Sequence, residues 1–435
     1  MNVKSGRALV ALWIAIAINS VAMNGQSTRA GDSAPPQTLG ALGASNSTPS
    51  LFAVGQTAVV VWTAAKDGMS NVYLAVSSDG GVKFSAPTRV NDQDGDAGAT
   101  NEQPPRVVIS GSRTAPTITV IWSKRDPGPQ QTRRDIIRIA RSTDGGRTFS
   151  PARFTHNPAF TGARGWESLA PGADGSVHAV WLDGRDAARR LADSAKHTGM
   201  EHKGQPPQEV YHATLSPDGR VVETVIASDV CFCCKTAVAV DTRGTVYAAW
   251  RHIFPGSMRD IAFATSNDRG AHFNPMVRVS EDKWELNGCP EDGPSIAVDE
   301  SGMIHIAWAT VVTDGEPQKA IFYATSRDGK VFSPRKRLPT AASGTPGHPQ
   351  LALLPDRGTT IVFDEVTGGL RRVLLARVSG AGVVQSVETL SGDESASNPV
   401  MVRSGADNLL VAWTSRSTTA ASDPSQIRLK RISVR

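Results

Sequence analysis

Short apolar segments that end in an aromatic residue recur along this 435-residue chain, and that recurrence limits the available folds more than any other feature. Residues 59–62, 119–122, 178–181, 247–250, 305–308 and 410–413 end in Trp62, Trp122, Trp181, Trp250, Trp308 and Trp413. A seventh segment, 360–363, ends in Phe363 and fills the one large gap. Successive spacings are 60, 59, 69, 58, 55 and 50 residues. A period of this length marks a repeated supersecondary unit. Each unit reads as an alternating strand, a glycine turn, the Trp strand, a third strand such as 320–325, a tight turn and a short fourth strand. No stretch carries sustained helical periodicity. Four strands per repeat arranged radially form an all-β propeller, a fold that leaves only short sheet edges. Seven Trp-type strands predict seven blades, with six as the alternative. The last repeat stops after its third strand, 426–432, so a segment within 35–48 is expected to complete that blade.

The turn after the third strand carries a motif of the form S-x-D-x-G-x-x-F. It stands as Ser77, Asp79, Gly81 and Phe84, as Ser142, Asp144, Gly146 and Phe149, and as Ser266, Asp268, Gly270 and Phe273. A form one residue shorter spans 326–332, and a decayed one begins at Ser216. The Asp can accept backbone N–H groups across the turn, glycine supplies a positive φ, and the aromatic ring can pack between sheets. In this motif and its spacing, residues 49–435 resemble the sialidase-like (BNR, or Asp-box repeat) propellers. The resemblance implies a fold, and an Asp box is a fold signature rather than a catalytic one. It also implies what a working sialidase needs: three arginines for a carboxylate, a Tyr activated by a Glu, and an Asp as acid/base. The F-R-I-P motif that carries the first of those arginines is absent. Of the four tyrosines, Tyr73, Tyr247 and Tyr323 lie within alternating strands. Tyr211 alone falls near the expected funnel, so sialoside hydrolysis is not expected.

Propeller topology selects the positions that reach ligand. The connections between blades and the loops after the Trp strands share one face, opposite the S-x-D turns. Read in phase, the inter-blade connections present Glu102, Glu167, Glu291, Asp292 and His348. The loops after the Trp strands add Arg185, Asp186, Arg251 and His252. These nine are the candidate ligand-binding residues. All four cysteines also fall in two neighbouring connections, Cys231, Cys233 and Cys234 in one and Cys289 in the next. Two states stay open. Cys231 with Cys234 and Cys233 with Cys289 is one feasible disulfide pairing. Thiolates with His197, Met200 and His202 from the long loop that follows 182 would instead suit copper or zinc.

The leading segment is an address rather than structure. Lys4 and Arg7 precede an apolar run over 8–18, and Ser20 and Ala22 place small residues where a signal peptidase reads. Residues 1–22 therefore read as a secretory signal, too short to span a bilayer, and 23–48 as a flexible lead-in. A net charge of +5 on this length gives no basic stripe for nucleic acid. The expectation is an exported, periplasmic or secreted protein without a stable membrane anchor. Its funnel would bind a glycan, a peptide or a metal. Exo-α-sialidase or another glycoside hydrolase or lyase activity is the alternative.

Overall fold

The computed structural model describes residues 35–434 apart from 99–101, 113, 125–134, 157–158, 191–207, 287, 289, 314, 356–357 and 421. The expected signal segment, Cys289, His197, Met200 and His202 all lie outside the described residues. Within them the strands form seven four-stranded antiparallel sheets. We number the blades by their innermost strands: Ser45–Val54, Arg106–Ser112, Arg164–Pro171, Ala237–Val240, Ser295–Val298, Thr345–Leu353 and Ser395–Ser404. The seventh blade is completed by Gln37–Leu39, which pairs with Gln426–Ser433 in the register Gln37↔Leu429 to Leu39↔Ile427. Seven blades and an N-terminal closing strand both match the sequence reading. The closing strand is shorter than the expected window, because Ser45 already opens blade 1.

The Trp strands are buried along nearly their whole length, as Val59 to Trp62 show at 0% exposure. Each is the second strand of its blade and is covered on both faces by neighbouring blades, so an unbroken apolar run replaces simple alternation. The core is accordingly divided into seven clusters, one at each junction between adjacent blades. Five of the six tryptophans that end these strands anchor their indole N–H on an oxygen. Examples are Trp62 on Asn46 (2.8 Å) and Trp308 on Asp282 (2.7 Å). Trp250 in blade 4 has no such partner among the described residues.

The S-x-D turns join third to fourth strands and behave as their chemistry requires. Asp79 Oδ1 accepts the N–H groups of Val82 and Lys83 (both 3.0 Å) and the Ser77 hydroxyl (2.7 Å). Ser77 in turn accepts the N–H of Gly81 (2.8 Å). The Ser142 and Ser266 turns repeat this pattern. Gly81 sits at φ +88°, and a side chain there would run into Leu410 of blade 7. Phe84 packs into the junction between blades 7 and 1, and Phe149 into that between blades 1 and 2. Strand direction places these turns on the face opposite the inter-blade connections, and so opposite Cys231, Cys233 and Cys234.

Candidate functional site

The innermost strands open with a repeated irregularity. In blades 1, 3, 6 and 7 the register shifts by a bulge, and Thr48, Trp166, His348 and Asn398 take φ between +52° and +56° at that point. Three of these precede proline (Pro49, Pro349 and Pro399), a position already restricted by sterics. Left-handed backbone at a non-glycine residue stores strain, and such strain clusters where structure serves function. Hydrogen bonds from the preceding blade hold it in place. Thr48 N–H donates to Thr414 (2.9 Å), His348 N–H to Asp292 (2.8 Å) and Asn398 N–H to Asp364 (2.8 Å).

Around these bulges charged side chains from blades 2, 4, 5 and 6 meet at one mouth. Glu102 spans from blade 2 to His348 Nε2 in blade 6 (3.2 Å) and to Lys235 before blade 4 (2.8 Å). His348 Nδ1 binds Asp364 (2.8 Å), which also holds Arg371 (2.7 Å). Asp292 pairs with Lys319 (2.5 Å) as well as with the His348 backbone. Beneath the mouth lies a channel cavity of about 140 Å³, lined by innermost strands of all seven blades, with Arg106, Ser168, Lys235, Ser295 and Gln350 as its polar wall.

Glu102, Asp292 and His348 are charged near neutrality. Burial opposes the charge on Glu102, but Lys235 and His348 outweigh it and bring its pKa down to about 2. Burial likewise disfavours imidazolium at His348, yet Asp364 and Asp292 raise it to about 9, against the opposing charge of Lys235. Asp292 is buried too, and Lys319, His348 and Lys235 hold it well below the usual carboxylate range. Opposite charges within a few ångströms thus win over desolvation.

Glu102, Asp292 and His348 are the predicted residues that the structure brings together. Lys235, Lys319 and Asp364 complete the set. Topology could have flagged Lys319, which follows Gln318 at the mouth end of the third strand of blade 5. Glu291 is exposed with φ +60° and joins none of these contacts. Glu167 turns instead into the wall between blades 2 and 3, where its backbone carbonyl accepts Arg106 (2.8 Å). Its carboxylate oxygens have no hydrogen-bond partner among the described residues, and burial pushes its pKa up to about 7.

The remaining candidates lie elsewhere. Arg185 is buried in blade 3 between Asp183 (2.6 Å) and Glu223 (2.6 Å), with its guanidinium 4.3 Å above the Tyr211 ring. Asp186 accepts the Tyr211 hydroxyl (2.5 Å). Burial and that carboxylate raise the Tyr211 pKa. Arg251 is fully buried and donates to the carbonyls of Asp292, Arg259 and Ala309, stitching blade 4 to blade 5. His252 is buried edge-on to Phe254, and burial lowers its pKa.

The sulfur cluster adjoins the mouth. Cys231 Sγ stands 3.5 Å from Cys234 Sγ and 3.8 Å from Cys233 Sγ, and all three sulfurs lie within 4.8 Å of one another. Trp166, Phe232 and Ile253 pack around them. Cys233 is held in a disulfide, whereas Cys231 and Cys234 are free thiols. Cys289, the partner expected for Cys233, lies outside the described residues, and Cys231 with Cys234 is a contact without a bond. A hydrogen bond from Cys234, with help from Arg251 and Arg259 against burial, lowers the Cys231 pKa to about 6. Burial and that same neighbour raise Cys234. Three buried sulfurs at this spacing could hold a metal.

No protein-family model matches the sequence, and no curated protein does. Solved structures match it over almost its whole described length. A polysaccharide lyase of family PL25, an ulvan lyase, shares 11% identity at a TM-score of 0.58, covering 91% of this chain and 96% of that one. The α-L-arabinofuranosidase Arb93A of Fusarium graminearum shares 12% at 0.51, over 93% and 98%. A protein of unknown function from Dyadobacter fermentans shares 12% at 0.53, over 93% and 99%. At such identities the likeness shows the fold, a seven-bladed propeller that glycan-processing enzymes also adopt.

Proposed function

We propose that this is an exported member of the sialidase-like propellers that binds an oligosaccharide at the charged mouth. The carrying observation is the network of Glu102, Lys235, Asp292, Lys319, His348 and Asp364, which gathers fixed acceptors and donors from four blades over one cavity. Sugar hydroxyls both donate and accept, so alternating carboxylate and ammonium groups suit them. The S-x-D turns support the family reading. Solved neighbours bound to arabinobiose and to -[GlcA(1-4)Rha3S]- support a saccharide as the ligand class. Calorimetry with arabinobiose and with an ulvan oligosaccharide tests the proposal. Binding of either probe, weakened at least about tenfold in Glu102→Gln, is the expected result; no heat from either overturns it. Export is tested by the mature N-terminus, expected at Met23.

Sialoside hydrolysis fits poorly with this site. Arg185 and Arg251 are committed to internal partners, and Tyr211 pairs with an Asp that makes its hydroxyl a weaker acid. A hydrolase or lyase reading rests on Glu167, whose pKa near 7 suits a general acid or base. Turnover of either probe that disappears in Glu167→Gln would favour it over simple binding. The sulfur cluster we read separately as a soft-cation site for copper or zinc, because thiolates select such ions.

A further inference from the structure

Three sulfurs about 2.3 Å from a shared ion stand about 4.0 Å apart in a trigonal plane and about 3.8 Å apart on a tetrahedron. Cys231 Sγ stands 3.5 Å from Cys234 Sγ and 3.8 Å from Cys233 Sγ, close to both. Among the described residues no His, Asp or Glu joins the three cysteines, so the set is all sulfur. A trigonal all-thiolate set in an apolar wall of Trp166, Phe232 and Ile253 suits copper(I). Arg251 and Arg259 face the cluster and offset its negative charge.

One sulfur is withheld. Cys233 is in a disulfide, and a disulfide sulfur is neutral and offers no thiolate. We propose that this disulfide gates the cluster, so that Cys231, Cys233 and Cys234 form a three-thiolate copper(I) site only after Cys233 is reduced. The proposal rests on the soft-cation reading above. The balance is simple. A dithiol reductant delivers two electrons and two protons, leaving as a cyclic disulfide while Cys233 and its bridging sulfur become thiols. Copper(I) then displaces protons from the three thiols without changing oxidation state.

The test is anaerobic competition for copper(I) against the chromophoric chelator bicinchoninate. Oxidised protein is compared with protein reduced by dithiothreitol and freed of excess reagent. Near-UV circular dichroism of the tryptophans verifies that the reduced protein keeps its fold. Reduced protein should retain one equivalent at least about tenfold more tightly than oxidised protein. Cys231→Ser and Cys234→Ser should lose that retention, and Cys233→Ser should bind weakly and equally with or without reduction. Equal affinity in the oxidised and reduced wild type overturns the gate while leaving a cation site. Reduced Cys233→Ser matching the reduced wild type overturns the three-sulfur set. Retention in neither state overturns the soft-cation reading itself, as would a reduced chain that binds only after losing its tryptophan signal.

Discussion

The two faces of the propeller use the same carboxylates for opposite ends. On the turn face, Asp79, Asp144 and Asp268 bind groups two to four residues away. At the mouth, Glu102 reaches a partner 246 residues distant, and Asp292 one 56 residues distant. The acids of the turn face lie at the surface, Asp79 and Asp268 exposed and Asp144 half-buried, and each closes a loop. Those of the mouth are sheltered, with Glu102 drawing its cations from blades 4 and 6 and Asp292 holding the His348 N–H of blade 6. A local acid therefore shapes one turn, whereas a remote acid fixes how blades stand relative to one another.

That contrast can be broken most sharply at Asp292. Asp292→Ala leaves Lys319 and the His348 N–H facing a hole, and removing one partner of a sheltered ion pair costs about 3 kcal/mol or more. A large fall in thermal stability together with lost oligosaccharide binding is expected in melting and calorimetry. Next in size is the response to alkali. The His348 pKa is raised, so the stability it contributes is full below its ordinary value of 6.5 and is lost as pH rises through about 9. Glu102 is depressed, so its contribution is full above 4.5 and is lost as pH falls toward about 2. Melting temperature should hence decline on the alkaline side near pH 9, and His348→Gln should flatten that limb. Asp79→Ala should lower the melting temperature less than Asp292→Ala and leave oligosaccharide affinity unchanged, since only its own turn is loosened. Smallest of all is the expected effect of Tyr211→Phe. Release from a fluorogenic sialoside should be negligible before and after the change.

The same division explains what could be read from residue order. The S-x-D turns are local, so spacing alone revealed their hydrogen bonds, and the period of the seven Trp-type strands carried the blade count. Glu102, Asp292 and His348 were legible because they occupy equivalent connections, which a ring must bring to one face. Lys235 was hidden beside the cysteines, whereas Lys319 stands at the mouth end of its strand and was legible from topology. Glu167 shares the phase of Glu102, but the bulge between Gly165 and Ser168 turns its carboxylate into a blade junction. Arg251 looked like a ligand clamp, and its burial among carbonyls of the next blade depends on packing that no spacing encodes. Cys231 and Cys234 stand three apart, yet only the fold shows them as thiols beside a disulfide sulfur.

The strand Gln37–Leu39 works as a clasp. It meets the last strand across nearly the entire sequence, with Thr38 bonded to Arg428, 390 positions away. Until the chain has been delivered as far as that last strand, six sheets and part of a seventh form an open arc with bare strands at both ends. Bare edges invite pairing with other chains. The interval before closure is thus the hazardous one in this protein's life, and a chain cut short of Gln426 would remain in it permanently.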